Sequence, residues 1–265
     1  MITHANTHSR DVVTHLRKIE HPYQIPSSEK RTDIRILPFE ENGLRYKYCF
    51  VILNPFYKRK QPIKDFAKNK PKWIEGDKFT IKKEYEKFTW TDLINETGIT
   101  DIKELFHCLY VSHHNYVSRY QQVKRKVWEL FQKTVSEKQI IPNSDSHLSI
   151  LLIDPILDAL KKLGYNKVKL YDIFQNDILI TTVSGLLNQS SEFPNEFRLV
   201  TDDKKLLFFQ EYEHYETFIY STDLKLLNEF LELTELEGFF ATDKTTLLWN
   251  EIEYENEPIT KIEPW

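Results

Sequence analysis

The stretch FRLVTDDKKLLFFQEYEHYETFIYST, Phe197 to Thr222, restricts the possible folds more than any other part of this chain. It holds three short runs rich in aromatic and branched residues, 197–201, 206–212 and 215–221, and the first two are joined by the turn residues Asp-Asp-Lys-Lys. Runs this short and this closely spaced are strands of an antiparallel sheet, because only tight turns fit between them. DLKLLNEFLEL follows, with Asp223 placed to cap a helix that carries Leu224, Leu227, Phe230 and Leu231 on one face. Strands followed by a helix point to an α+β protein.

Upstream, IDPILDALKKLGYNKVKLYDIF predicts a helix and then a strand. Asp154 stands at the cap, Pro155 in the first turn and Gly164 at the end. The segment Thr97 to Lys138 predicts two consecutive helices, the first starting at Asp101 and the second carrying Val117, Tyr120, Val123, Val127, Leu130, Phe131 and Val135 at helical spacing. LRYKYCFVILNPF, Leu44 to Phe56, predicts one strand closed by an Asn-Pro turn. Residues 57–90 read as loop and short elements, and DVVTHLRKI, Asp11 to Ile19, as a short helix on a polar arm. The expected architecture is α+β. It has a helical amino-terminal half and a mixed α/β carboxyl-terminal part on a small, mainly antiparallel sheet. The expected units are an arm at 1–35, a basic helical region at 36–140 and an acidic domain at 141–265.

Cys49 and Cys108 both sit in apolar runs, where reduced cysteine behaves as a small hydrophobe, and this suits a cytoplasmic protein. No run approaches the length of a membrane span, and the first residues lack a signal-peptide core. Charge is distributed unevenly. Residues 1–138 hold 26 basic and 17 acidic groups, net +9; residues 139–201 hold 5 and 7, net −2; residues 202–265 hold 5 and 16, net −11. Such a gradient fits either partners of opposite sign or the packing of one end on the other.

No phosphate-cradling loop, nucleophile elbow or paired-cysteine motif is present, so no cofactor is implied. His107 and His114 lie seven apart on one helix face, but two ligands do not make a metal site, and none is expected. EYEHYE places Glu213 beside His214, a carboxylate–imidazole pair suited to acid–base work, with Glu237 as a further catalytic candidate. Glu211, Glu213, Glu235, Glu237, Glu251 and Glu253 are the candidate acidic face for a basic protein partner. The stretch 58–87 interleaves 11 Lys or Arg with Tyr85, Phe66, Trp73 and Phe79, the pattern of a nucleic-acid surface. Lysine outnumbers arginine there ten to one, and no nucleic-acid motif accompanies it.

LEGFFATDKTTLLW, Leu236 to Trp249, lies near the carboxyl end, with Gly238 expected to turn the chain out of the preceding helix and a phenylalanine expected to enter the core. Leu236 to Phe240, with Thr245 and Trp249, resembles a bacterial domain of unknown function found in Bacillus-type soluble proteins, over about residues 150–250. Ala241 departs from the cysteine of that pattern, and Tyr215 to Phe218 departs from its Asp-Ser-His-Phe segment. The resemblance supports the fold and supplies no catalytic residue. The function expected is a non-enzymatic protein-interaction module of the immunity type. The alternatives are nucleic-acid association through 58–87 and a hydrolase-like site around Glu213 and His214.

Overall fold

The computed structural model describes residues 36–66, 74, 77–113, 125–144, 147–172, 179–189, 193, 196–210 and 214–246. A hairpin of β1 (Phe39–Glu41) and β2 (Leu44–Tyr46) leads into β3 (Tyr48–Leu53) and β4 (Phe56–Arg59). Helix α1 (Lys78–Glu84), strand β5 (Tyr85–Phe88) and helices α2 (Trp90–Thr97), α3 (Ile102–His113) and α4 (Arg125–Lys138) follow, then β6 (Ile140–Ile141) and α5 (Ile150–Lys162). The remainder is β7 (Lys167–Asp172), β8 (Leu179–Thr182), α6 (Val183–Leu187), β9 (Phe197–Thr201), β10 (Leu206–Gln210), β11 (Glu216–Ser221), α7 (Leu224–Glu232) and β12 (Gly238–Phe240).

Seven strands form the central sheet in the order β12-β3-β11-β10-β9-β7-β8, and every neighbouring pair is antiparallel. A smaller sheet, β5-β4-β6, stands apart from it. Helices cover both faces of the large sheet. Alternate residues Cys49, Val51 and Leu53 of β3 pack with Trp90, Phe106, Trp128 and Phe131 from α2, α3 and α4. Phe50 and Ile52 pack with Ile153, Leu157, Leu227 and Phe230 from α5 and α7. An antiparallel strand buried on both faces reads as a continuous apolar run, which is why YCFVIL and LLFFQ show no polar alternation.

This overturns the expected division into a helical amino-terminal half and a small carboxyl-terminal sheet. The amino-terminal half opens with four strands, and β3 (Tyr48–Leu53) lies between β11 (Glu216–Ser221) and β12 (Gly238–Phe240), both from the far end of the chain. The sheet is large, and the helices concentrate in the middle of the sequence. The physical reason is that Cys49–Leu53, apolar on both sides, needs two covering layers and so cannot remain an isolated strand.

Local expectations hold more closely. Asp223 Oδ1 accepts from Lys225 N and Leu226 N at 2.9 and 3.3 Å, capping α7, although Leu224 is exposed rather than on the buried face. Gly164 ends α5 at φ +90°. Helix α5, however, starts at Ile150, so Pro155 lies inside it and Asp154 is no cap. The Asp154 carboxylate instead accepts from buried Lys78 Nζ at 3.0 Å and from Lys82, tying α1 to α5. The Leu44–Phe56 strand is broken into β2, β3 and the start of β4. Residues 11–19 and the first part, 116–124, of the second helix expected between Thr97 and Lys138 lie outside the described residues, and the rest of that helix is α4.

Candidate functional site

The strand registers bring several polar residues to one end of the large sheet. Leu53 pairs with Glu216, Ile52 with Gly238 and Gln210 with Thr217, so Asn54, Glu237, His214 and Gln210 gather there. Asn54 is the hub. Its Nδ2 donates to Tyr215 O at 2.6 Å, and to His147 O and Thr217 Oγ1 at 3.3 Å each, while its Oδ1 accepts from Ser149 N at 3.0 Å. Its carbonyl accepts from Trp90 Nε1 at 2.8 Å. Thr217 Oγ1 donates to Gln210 Oε1 at 2.5 Å, and Gln210 Nε2 donates to His214 O at 2.8 Å. On the other flank, Tyr57 OH donates to Asn143 Oδ1 and accepts from Ser149 Oγ and Ile150 N, each at 3.1 Å. Groups buried this deeply cost free energy unless they are paired, and the network pairs them.

Glu237 belongs to this network as the cap of α2. Oε2 accepts from Trp90 N at 2.6 Å, and Oε1 accepts from Thr91 N at 3.1 Å and from the Thr91 hydroxyl. Thr89 and Asp92 form a capping box, with Asp92 N donating to Thr89 Oγ1 at 3.0 Å. Between them Thr89 and Glu237 satisfy the first N–H groups of the helix, and the carboxylate also meets the positive end of the helix dipole. Burial raises the Glu237 pKa, opposed by the hydrogen bonds from Thr91 and Trp90 and by the Lys87 charge. The side chain is turned inward and is not available to an acidic outer face.

His214 and Glu216 also meet at this end, with His214 Nδ1 3.5 Å from Oε1 of the fully buried Glu216. Glu211 and Glu213, like Glu251, Glu253 and His114, lie outside the described residues. Glu235 is highly exposed and pairs with Lys87 at 3.7 Å. The Phe106 ring stands 6.5 Å from that of Tyr215, setting α3 against the start of β11. Lys103 and His107, which flank Phe106, are both buried. Burial lowers Lys103 to about 7, partly offset by Asp101, and lowers His107 to about 4, keeping its imidazole neutral. Among the described residues, no three His, Cys, Asp or Glu side chains are placed to hold a metal ion.

The basic stretch is largely used within the fold. Lys58 pairs with Glu86 at 2.7 Å, Arg59 lies 3.9 Å from Glu84, and Lys60 donates to Lys82 O. Tyr57, Phe66 and Tyr85 are core residues, Phe79 is exposed, and Trp73 lies outside the described residues. Alternation of charge and aromatic along the sequence cannot distinguish such burial from an open stacking platform.

The β8 edge of the sheet is built differently. Strand β8 pairs only with β7 among the described residues. Its residues are Leu-Ile-Thr-Thr, with Ile180 73% exposed and Leu179 44% exposed. Lys169, directly across from Ile180, sits with its Nζ 4.8 Å from the Tyr171 ring centroid, and Lys167 beyond it is exposed. The sequence signal for this edge was present in the uncharged run LITT but was too short to stand out.

Residues 34–251 match the family described as Protein of unknown function (DUF2711), and the chain belongs to that family. The match extends well upstream of residues 150–250, in line with β3 lying inside the carboxyl-terminal sheet. No curated protein and no solved structure matches the chain.

Proposed function

We propose that this protein is a protein-interaction module that contacts its partner through the open β8 end of the sheet. The observation that carries the reading is the character of that edge. It presents two adjacent exposed apolar side chains, Leu179 and Ile180, on a strand with one hydrogen-bonded neighbour among the described residues and no lysine, proline or other edge-blunting residue of its own. Exposed strand edges accept an added strand through main-chain hydrogen bonds. The polar end supports the same reading from the other side, since Asn54, Tyr57 and Glu237 direct their hydrogen bonds to the protein's own backbone and side chains. Glu235 remains as an exposed acidic group for a basic partner.

The test compares proteins retained from host extract by the wild-type chain and by Ile180→Lys. Loss of the retained set in the variant, with thermal stability unchanged, is the expected result. An identical set on both proteins would end this reading.

A further inference from the structure

Strand β8 has the geometry to pair with itself. Val183 N donates to Asn166 O at 3.0 Å, just past the end of the β7–β8 ladder. Along an antiparallel strand, residues whose N–H and C=O face one neighbour alternate with residues whose groups face the other side. Counting back from Val183, Thr181 and Leu179 face β7, and Ile180 presents both its N–H and its C=O to the side of β8 that no described strand occupies, whereas Thr182 is committed as the cap of α6. Ile180 is therefore the outward-bonding residue and also the most exposed large apolar side chain of the described residues.

Resting on the interaction reading above, we infer that the partner at this edge is a second copy of the chain. The two copies join antiparallel through β8 about a two-fold axis perpendicular to the sheet. Such an axis returns each sheet face to the same face, so only same-face residues can stand opposite one another. Ile180 opposite Ile180 of the second copy satisfies this rule. It also makes the pair one that exchanges both N–H···O bonds, with Leu179 opposite Thr181 on either side. A two-fold contact uses one patch twice and must be complementary to itself. β8 meets that demand because it carries no charge, so two copies meet without repulsion and without selecting a charged stranger. The ladder would run from one seven-stranded sheet into the other.

Sedimentation velocity on the full chain over roughly 1 µM to 1 mM covers the range of weak association. The expected result is a concentration-dependent rise from 31.8 kDa toward twice that mass. Ile180→Lys should hold the chain at the monomer mass. So should Ile180→Pro, which removes an outward N–H and leaves the bonds to β7 in place. Circular dichroism confirms that both variants are folded. A wild-type chain that stays monomeric throughout, or a dimer that both variants retain, overturns the inference. A monomer that still loses a heterologous protein on Ile180→Lys overturns the second copy alone. A variant unchanged in both respects overturns the interaction reading as well.

Discussion

The two ends of the large sheet solve the problem of an edge in opposite ways. At the β12 end the strand is three residues long, and Gly238 lies so close to β3 that a Cβ there would sit 1.9 Å from Val51 O. Glu237, one residue earlier, is drawn inside to cap α2. At the β8 end the outer strand leaves Ile180 in solvent. The contrast shows that burial within one sheet depends on what packs beyond each strand. The β12 end, the closed one, is locked to β3 and α2 by a close backbone approach and polar bonds, and the β8 end leaves its outer side chain exposed, although each outer strand has one hydrogen-bonded neighbour among the described residues.

Gly238→Ala should have the largest effect, at the β12 end. The added methyl meets backbone as well as the Phe50 ring, so the strands must separate. A loss of about 3 kcal/mol or more is expected in urea unfolding. A loss below about 1 kcal/mol would show that the closed end can relax.

Glu237→Ala comes next, at about 2 to 3 kcal/mol, because it strips a cap from two buried N–H groups and a hydroxyl. The pH dependence sharpens this prediction. A carboxyl raised by burial favours its protonated form in the folded state. Its contribution is therefore full below the unfolded value and is lost as pH rises through the folded one. Wild type should lose stability, relative to the alanine variant, as pH rises upward from 4.5. Parallel thermal melts across that range would contradict the assignment.

Lys103 tests the helical cover of the closed end through the pH dependence of stability. Its amine is lowered from 10.5 to about 7, so between those values the unfolded chain holds a proton that the folded one sheds. Stability from this group is complete above 10.5 and is lost as pH falls toward 7. Replacing Lys103 with Met should flatten that slope, and an unchanged slope in calorimetry would exclude Lys103 as its source.

The smallest effect belongs to the open end. Ile180→Lys should change monomer stability by no more than about 0.5 kcal/mol, as at other solvated surface positions. A larger loss would mean that β8 supports the fold after all.

Much of the carboxyl-terminal half was legible in the sequence. The strands at 197–201, 206–210 and 216–221 and helix α7 follow from local rules: alternation of turn and apolar run, a capping aspartate and a helical period. Helix α1 and strand β5 were hidden among the lysines of 57–90, since neither has a long periodic pattern. Gly238 was expected to serve a turn, and it serves a close approach of two strands instead. Nothing near Gly238 in the sequence identifies Val51 as the neighbour that excludes a side chain.

For the candidate site, the sequence singled out His214 and Glu237 by residue type and could not show what they face. Local residue patterns account for the individual elements, the two-sided apolar character of β3 and the uncharged composition of β8. These properties depend on residues within a few positions of one another. The tertiary structure alone makes Glu237 the cap of a helix 146 or 147 residues away, joins three segments at Asn54, and leaves β8 and β12 at the edges. Those outcomes depend on which distant strands pair, a choice made by covering every apolar face at once, which no local pattern records.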